Sequence, residues 1–179
     1  MNKTKGIALG AMIAALYAVV TLFAPIPQYA AVQVRFADAL ALLPLFLGWP
    51  AAIGLSLGCL VANVFSPYGV LDMVIGTMST VLGSVAAVYI GRMVTRKTLN
   101  AVLVTTATLQ SVITALLIGW LLTMYGVPFE AGAASVLVGE LVSIGIIGIP
   151  LHLALVKVQP TLFVVPNVAA VFEKEKTKE

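Results

Sequence analysis

Three acids stand inside or beside long apolar stretches of this 179-residue chain: Asp38, Asp72 and Glu140. An ionisable group in such surroundings is costly to keep, so each is a functional candidate by default. Glu140 lies deepest in the sequence pattern. It falls about seven residues into an apolar segment, hence roughly 10 Å along a helix at the helical rise. Gly132, Ser135, Gly139 and Ser143 run beside it as a stripe of small residues, so that face can approach a neighbour or a ligand closely. Two readings are open for Glu140: contact with a ligand, or a hydrogen bond to a neighbouring helix. Asp72 opens an apolar segment and is placed to cap it, since an acid is favoured at a helix N-terminus. It also stands with Asn63, Ser66 and Tyr68 at one break between two segments, which suits a binding cluster. Gln33, Arg35, Phe36 and Asp38 form the third group. Arg35 and Asp38 are three apart and pair if a helix starts there. The other reading is a loop folded over a pocket, with Gln33 reading hydrogen bonds and Phe36 offering a stacking surface. A lining of acids, amides and aromatics suits a flat, polar ligand that is neutral or cationic.

The elements that position these groups follow from the hydropathy pattern. The chain is 61% hydrophobic and only 9% charged, far below the roughly one-quarter charged residues of a soluble domain. A membrane span needs about 20 mostly apolar residues, so this length holds five or six spans and little else. We expect helices over about Gly6–Phe23, Phe36–Leu47, Ala51–Phe65, Val70–Val94, Leu99–Tyr125 and Ala133–Val158. The Phe36–Leu47 segment is short for a full crossing, so it tilts or packs partly behind other helices. Pro25 and Pro27, then Gly48-Trp49-Pro50, then Ser66-Pro67-Tyr68-Gly69 mark the breaks. Residues 1–158 form one membrane domain, and 159–179 a charged cytoplasmic tail, partly disordered. The first apolar segment has no small-residue cleavage site after it and reads as a retained helix. No strong internal repeat is visible.

Every Lys and Arg except Arg35 falls at the N-terminus, at the loop near Arg96, or at the C-terminal end. By the positive-inside rule both termini are cytoplasmic, which puts Asp38, Asp72 and Glu130 toward the outside. The net charge of +3 is spread along membrane edges and is no nucleic-acid signature. A single cysteine, Cys59, rules out an intrachain disulfide. The sequence contains no GxxxxGK[ST], HExxH or GxSxG string, so we expect neither an ATP site nor a hydrolase centre, and no cofactor held by this chain. His152 is assigned no role, and Gln110 is expected to bridge helices by a hydrogen bond.

Small residues recur along the first helix in two registers. Gly6, Gly10, Ala14 and Ala18 form one, and Ala11 and Ala15 run alongside. Such stripes either pack within the chain or dock another membrane subunit. Gly54, Gly58 and Ala62 in the third segment, and Gly76, Ser79, Gly83 and Ala87 in the fourth, read as internal packing.

The string VQVRFADALALLPLFLG (Val32–Gly48), the string ANVFSPYGVLDMVIGT (Ala62–Thr77) and the Ala-xxx-Ala stripe resemble the QueT family. That family belongs to the substrate-binding S components of energy-coupling factor (ECF) importers. The resemblance covers Gly6 to Val158 and implies several things. The fold is the all-α, six-helix S-component fold in a bacterial plasma membrane. The chain captures its substrate outside and joins a transmembrane coupling subunit and two cytosolic ATPases, which use the ATP. The substrate is a queuosine precursor, a deazaguanine base such as preQ1, or queuine. Gln33, Arg35, Phe36, Asp38, Asn63, Tyr68, Asp72 and Glu140 then form its site, and Ala11 and Ala15 face the coupling subunit. Three rival classes remain: an S component for another small vitamin or nucleobase-like compound, a self-sufficient small carrier, and a membrane enzyme or purely structural protein.

Overall fold

A computed structural model describes residues 2–23, 34–93 and 98–158. The described residues are helical throughout and contain no strand. Helix α1 spans Lys3–Phe23. A 3-10 turn at Phe36–Leu40 leads into the short α2 (Leu43–Leu47). Helix α3 covers Trp49–Asn63, α4 covers Gly69–Gly91 and α5 covers Leu99–Thr123. Helix α6 (Phe129–Glu140) passes through a π-helical stretch (Leu141–Gly148) into α7 (Ile149–Val158). Four of these are long and apolar enough to cross a bilayer: Lys3–Phe23, Gly69–Gly91, Leu99–Thr123 and Phe129–Leu155. Phe36–Leu47 and Trp49–Asn63 are shorter apolar segments and bring the helical segments to six.

The outer surface is apolar all round. Ile7, Val70, Val104 and Ile146 are more than half exposed, and the same holds for side chains on every long helix. Water would penalise such a surface, and hydrocarbon would not.

Close backbone approach sets the packing. Helix α1 lies against α3. A Cβ at Gly54 would sit 2.5 Å from the Gly10 carbonyl oxygen, and one at Gly58 would sit 2.7 Å from that of Ala14. Gly10 and Ala18 are buried and Ala14 is half-buried, whereas Ala11 and Ala15 face outward. The two registers of small residues therefore separate: the first builds the α1–α3 contact, and the second is free surface.

Phe36–Leu47 departs from a continuous helix. It breaks into the 3-10 turn and α2, and Leu42 to Gly48 are all buried. Pro44 stands in the first turn of α2, and without an N–H it cannot continue a helix from the preceding turn. Gly48 takes φ 68°, a left-handed conformation that turns the chain directly into α3 at Trp49. Leu42, Leu45, Phe46, Leu55, Leu103 and Ile144 fill the main core around this buried segment.

Helix α6 begins at Phe129, four residues before the sequence-based start at Ala133. Glu140 therefore lies about 16 Å along its helix and not 10 Å. It is the last α-helical residue before the π-helical stretch. Such stretches widen a helix locally and cluster at functional sites.

A buried acid cluster among six helical elements

The site grows from the 3-10 turn. Its first residues follow Arg35, whose backbone is extended at φ −100° and ψ 100°. This geometry sends Arg35 toward α3 and Asp38 toward α1. Tyr17 of α1 donates its hydroxyl to Asp38 Oδ1 at 2.5 Å. Arg35 Nε stands 3.8 Å from Asp38 Oδ2, so the expected i, i+3 pair forms. Its Nη2 donates to Asn63 Oδ1 at 2.8 Å. Asn63 is fully buried at the end of α3 and uses its own amide hydrogens on the Asp72 carbonyl (3.2 Å) and on Cys59 Sγ (3.4 Å). The Arg35 guanidinium is therefore held from behind, and its direction is fixed.

Asp72 is 3% exposed, in the first turn of α4. It makes no side-chain cap of that helix, whose N-cap residue is Tyr68. Its Oδ2 instead accepts the Ser66 hydroxyl at 2.5 Å. Asp72 thus stands in the first turn of α4, where the macrodipole favours an acid, and also pairs with Ser66 of the preceding break. Gly76, one turn further, leaves room for Asn63, because a Cβ there would lie 2.5 Å from Asn63 Nδ2.

Glu140 comes in from α6 and is 4% exposed. Its carboxyl shares the wall of one cavity with Asp38. Two small cavities meet at this residue. One is lined by Tyr17, Asp38, Ser79, Gln110, Thr114 and Glu140 among others. The other is lined by Arg35, Tyr68, Asp72, Thr114, Val136 and Glu140 among others. Both are narrow, with room for a few water molecules. Tyr68 lines the second cavity and is braced by Tyr125, whose hydroxyl donates to its carbonyl at 2.6 Å and whose ring meets it edge to face at 5.0 Å.

The residues named from sequence sort as follows. Arg35, Asp38, Tyr68, Asp72 and Glu140 line the two cavities. Asn63 lines neither and acts by holding Arg35. Phe36 is half-buried beside them and also lines neither cavity. Gln33 lies outside the described residues. The structure adds Tyr17, Thr114 and Gln110. No charge singled them out, and only a helical-wheel pairing of α1 and α5 with the acids would have drawn attention to the first two. Gln110 does bridge helices, donating to the carbonyls of Gly83 (3.1 Å) and Ala41 (3.0 Å). His152 is buried, stacked on Phe46 at 5.7 Å and bonded to the Gly148 carbonyl, away from the cluster. No group of three His, Cys, Asp or Glu side chains among the described residues is arranged to hold a metal ion.

Chemically, the cluster sets three carboxyls against one guanidinium. Two carboxyls on the wall of one narrow cavity repel each other, and a proton or a cation between them relieves the repulsion. A bound cation with N–H donors does this, and a multiply anionic ligand does not.

The sequence profile of QueT transporters matches residues 7–157. The chain belongs to the QueT transporter family. No curated protein matches it, and no solved structure does. The family makes it a membrane transport protein, and the matched region spans all the helices that build the acid cluster.

Proposed function

We propose that this chain is the substrate-binding S component of an ECF-type importer and captures a cationic deazaguanine base such as preQ1. The observation that carries the reading is the excess of carboxyls over cations in a buried site: Asp38, Asp72 and Glu140 around Arg35. The aminomethyl group of preQ1 is an ammonium, which this excess favours. Its guanine-type edge offers adjacent N–H donors that a carboxylate accepts in paired fashion. Glu140 or Asp72 takes that edge, and the remaining acid takes the ammonium. Arg35 donates to the ring carbonyl. Tyr68, and with it Phe36, provides aromatic surface for the flat base, as aromatic side chains do for unpaired bases generally. The cavities are narrower than a bicyclic base, so binding widens them.

The positive-inside pattern supports an orientation with both termini in the cytoplasm and the α3–α4 break outside. Capture is then from the outside. A transmembrane coupling subunit and two cytosolic ATPases complete the importer and supply ATP hydrolysis. The outward-facing Ala11 and Ala15 are the docking positions on α1.

Calorimetric titration of the purified chain in detergent tests the substrate. Tight binding of preQ1, with weaker binding of guanine and none of riboflavin, is the expected result. Binding of riboflavin in place of preQ1 would point to an S component for a different compound. Uptake by the chain alone in liposomes, without the ATPase module, would make it a self-sufficient carrier.

A further inference from the structure

Gln110 carries an atom that the fold leaves unsatisfied. It sits in the middle of α5 and is 4% exposed. Its Nε2 gives hydrogen bonds to two backbone carbonyls, Ala41 at 3.0 Å and Gly83 at 3.1 Å. Both partners are acceptors, so the amide orientation is decided: nitrogen faces them, and oxygen faces the other way. That oxygen, Oε1, is buried and has no hydrogen-bond partner. A buried acceptor left alone costs free energy, and native proteins rarely tolerate one without a reason. Gln110 forms part of the wall of the cavity that also holds Tyr17, Asp38 and Glu140. The position is also prepared by α4, because a Cβ at Gly83 would press on Gln110 Cγ at 3.0 Å.

We propose that Gln110 is a specificity-determining residue whose fixed Oε1 accepts an N–H of the bound ligand, on an edge other than the one taken by the carboxylates. The proposal rests on the functional reading above and deepens it. In a free deazaguanine base, the donors left once a carboxylate has taken the ring N–H and one amine hydrogen are the second amine hydrogen, the pyrrole N–H of the five-membered ring and the ammonium. The ammonium belongs to an acid and the second amine hydrogen flanks the edge already taken, so the pyrrole N–H is the donor assigned to the neutral amide oxygen. A nucleoside carries its sugar on that nitrogen and has no hydrogen there. Gln110 therefore admits the free base and rejects the nucleoside. Sites built to pair a substrate N–H discriminate strongly against analogues that lack it, because their own buried group is left alone.

The test uses the full chain in detergent and two ligands: the free base and its analogue methylated on the pyrrole nitrogen. Unaltered protein is expected to bind the methylated base at least tenfold more weakly. Gln110→Met removes the acceptor and is expected to weaken the free base while shrinking the difference between the two ligands to less than threefold. Gly83→Ala leaves Gln110 in place but pushes it aside, and should act in the same direction. Equal binding of both ligands by unaltered protein overturns the proposal, as does a tenfold preference that persists in Gln110→Met. If Gln110→Met does not fold, the ligand pair on unaltered protein and on Gly83→Ala decides. Absence of binding by the free base to unaltered protein would instead discard the deazaguanine reading, and this proposal with it.

Discussion

At the scale of single residues, charge in an apolar chain announces itself. Asp38, Asp72, Glu140 and Arg35 stood out from sequence because lipid tolerates such groups only when they are paired or put to use, and the fold brings all four to two adjoining cavities. Their neutral helpers were less legible. Tyr17 and Thr114 are ordinary residues of spanning helices, and only the packing of α1 and α5 against the acids gives them a role; Gln110 was legible as a bridge between helices, but not as part of the cavity wall. At Asp72 two readings hold together: it stands in the first turn of α4 and pairs with Ser66 inside the bundle. Two predictions belong here. Glu140→Gln keeps size, removes the charge and turns one acceptor oxygen into a donor, and should weaken binding of preQ1 at least tenfold, about 1.4 kcal/mol. Unchanged affinity by calorimetry would take Glu140 out of the site. Gly76→Ala should displace the Asn63 amide and free Arg35. Overpacking of this kind costs about 1–3 kcal/mol, so thermal unfolding in detergent should begin lower, and ligand binding should weaken with it.

At the scale of elements, the small-residue stripes were legible as stripes but not as to purpose. Structure splits α1 into a packed register, Gly10 and Ala14 against α3, and an exposed one, Ala11 and Ala15. The two registers predict different phenotypes. Gly54→Leu should disrupt the α1–α3 contact, lowering folded yield and binding together. Ala11→Leu or Ala15→Leu should spare substrate binding and abolish uptake in cells carrying the ATPase module. Loss of binding in Ala11→Leu would mean that the exposed face matters to the fold itself. The α4 stripe gained a different meaning. Gly76 and Gly83 make space for the side chains of Asn63 and Gln110, not for another backbone. Neither the broken Phe36–Leu47 segment nor the π-helical stretch could be read from hydropathy. Hydropathy registers neither the N–H that Pro44 lacks nor a local widening of a helix. The π-helical stretch starts immediately after Glu140, so the helix is widest where the acid enters the cluster.

At the scale of the whole molecule, the chain is a bundle with an apolar exterior and one polar interior site, described over four spanning helices and two shorter segments. This arrangement suits a subunit that binds and hands over a ligand. Uptake of labelled preQ1 should therefore require the coupling subunit, the ATPases and ATP, and should be undetectable with this chain alone in liposomes. The charge of the ligand is the feature on which the reading turns. The most direct measurement compares the affinity of preQ1 with that of its neutral isostere, in which a methyl group replaces the ammonium nitrogen, on the unaltered chain and on Glu140→Gln, Asp72→Asn and Asp38→Asn. Preference for the cation by at least tenfold, reduced by one or more of these substitutions, is the predicted result. Equal affinity for the charged and neutral bases, or a preference that survives all three, would contradict a site built from buried acids to hold a cationic base.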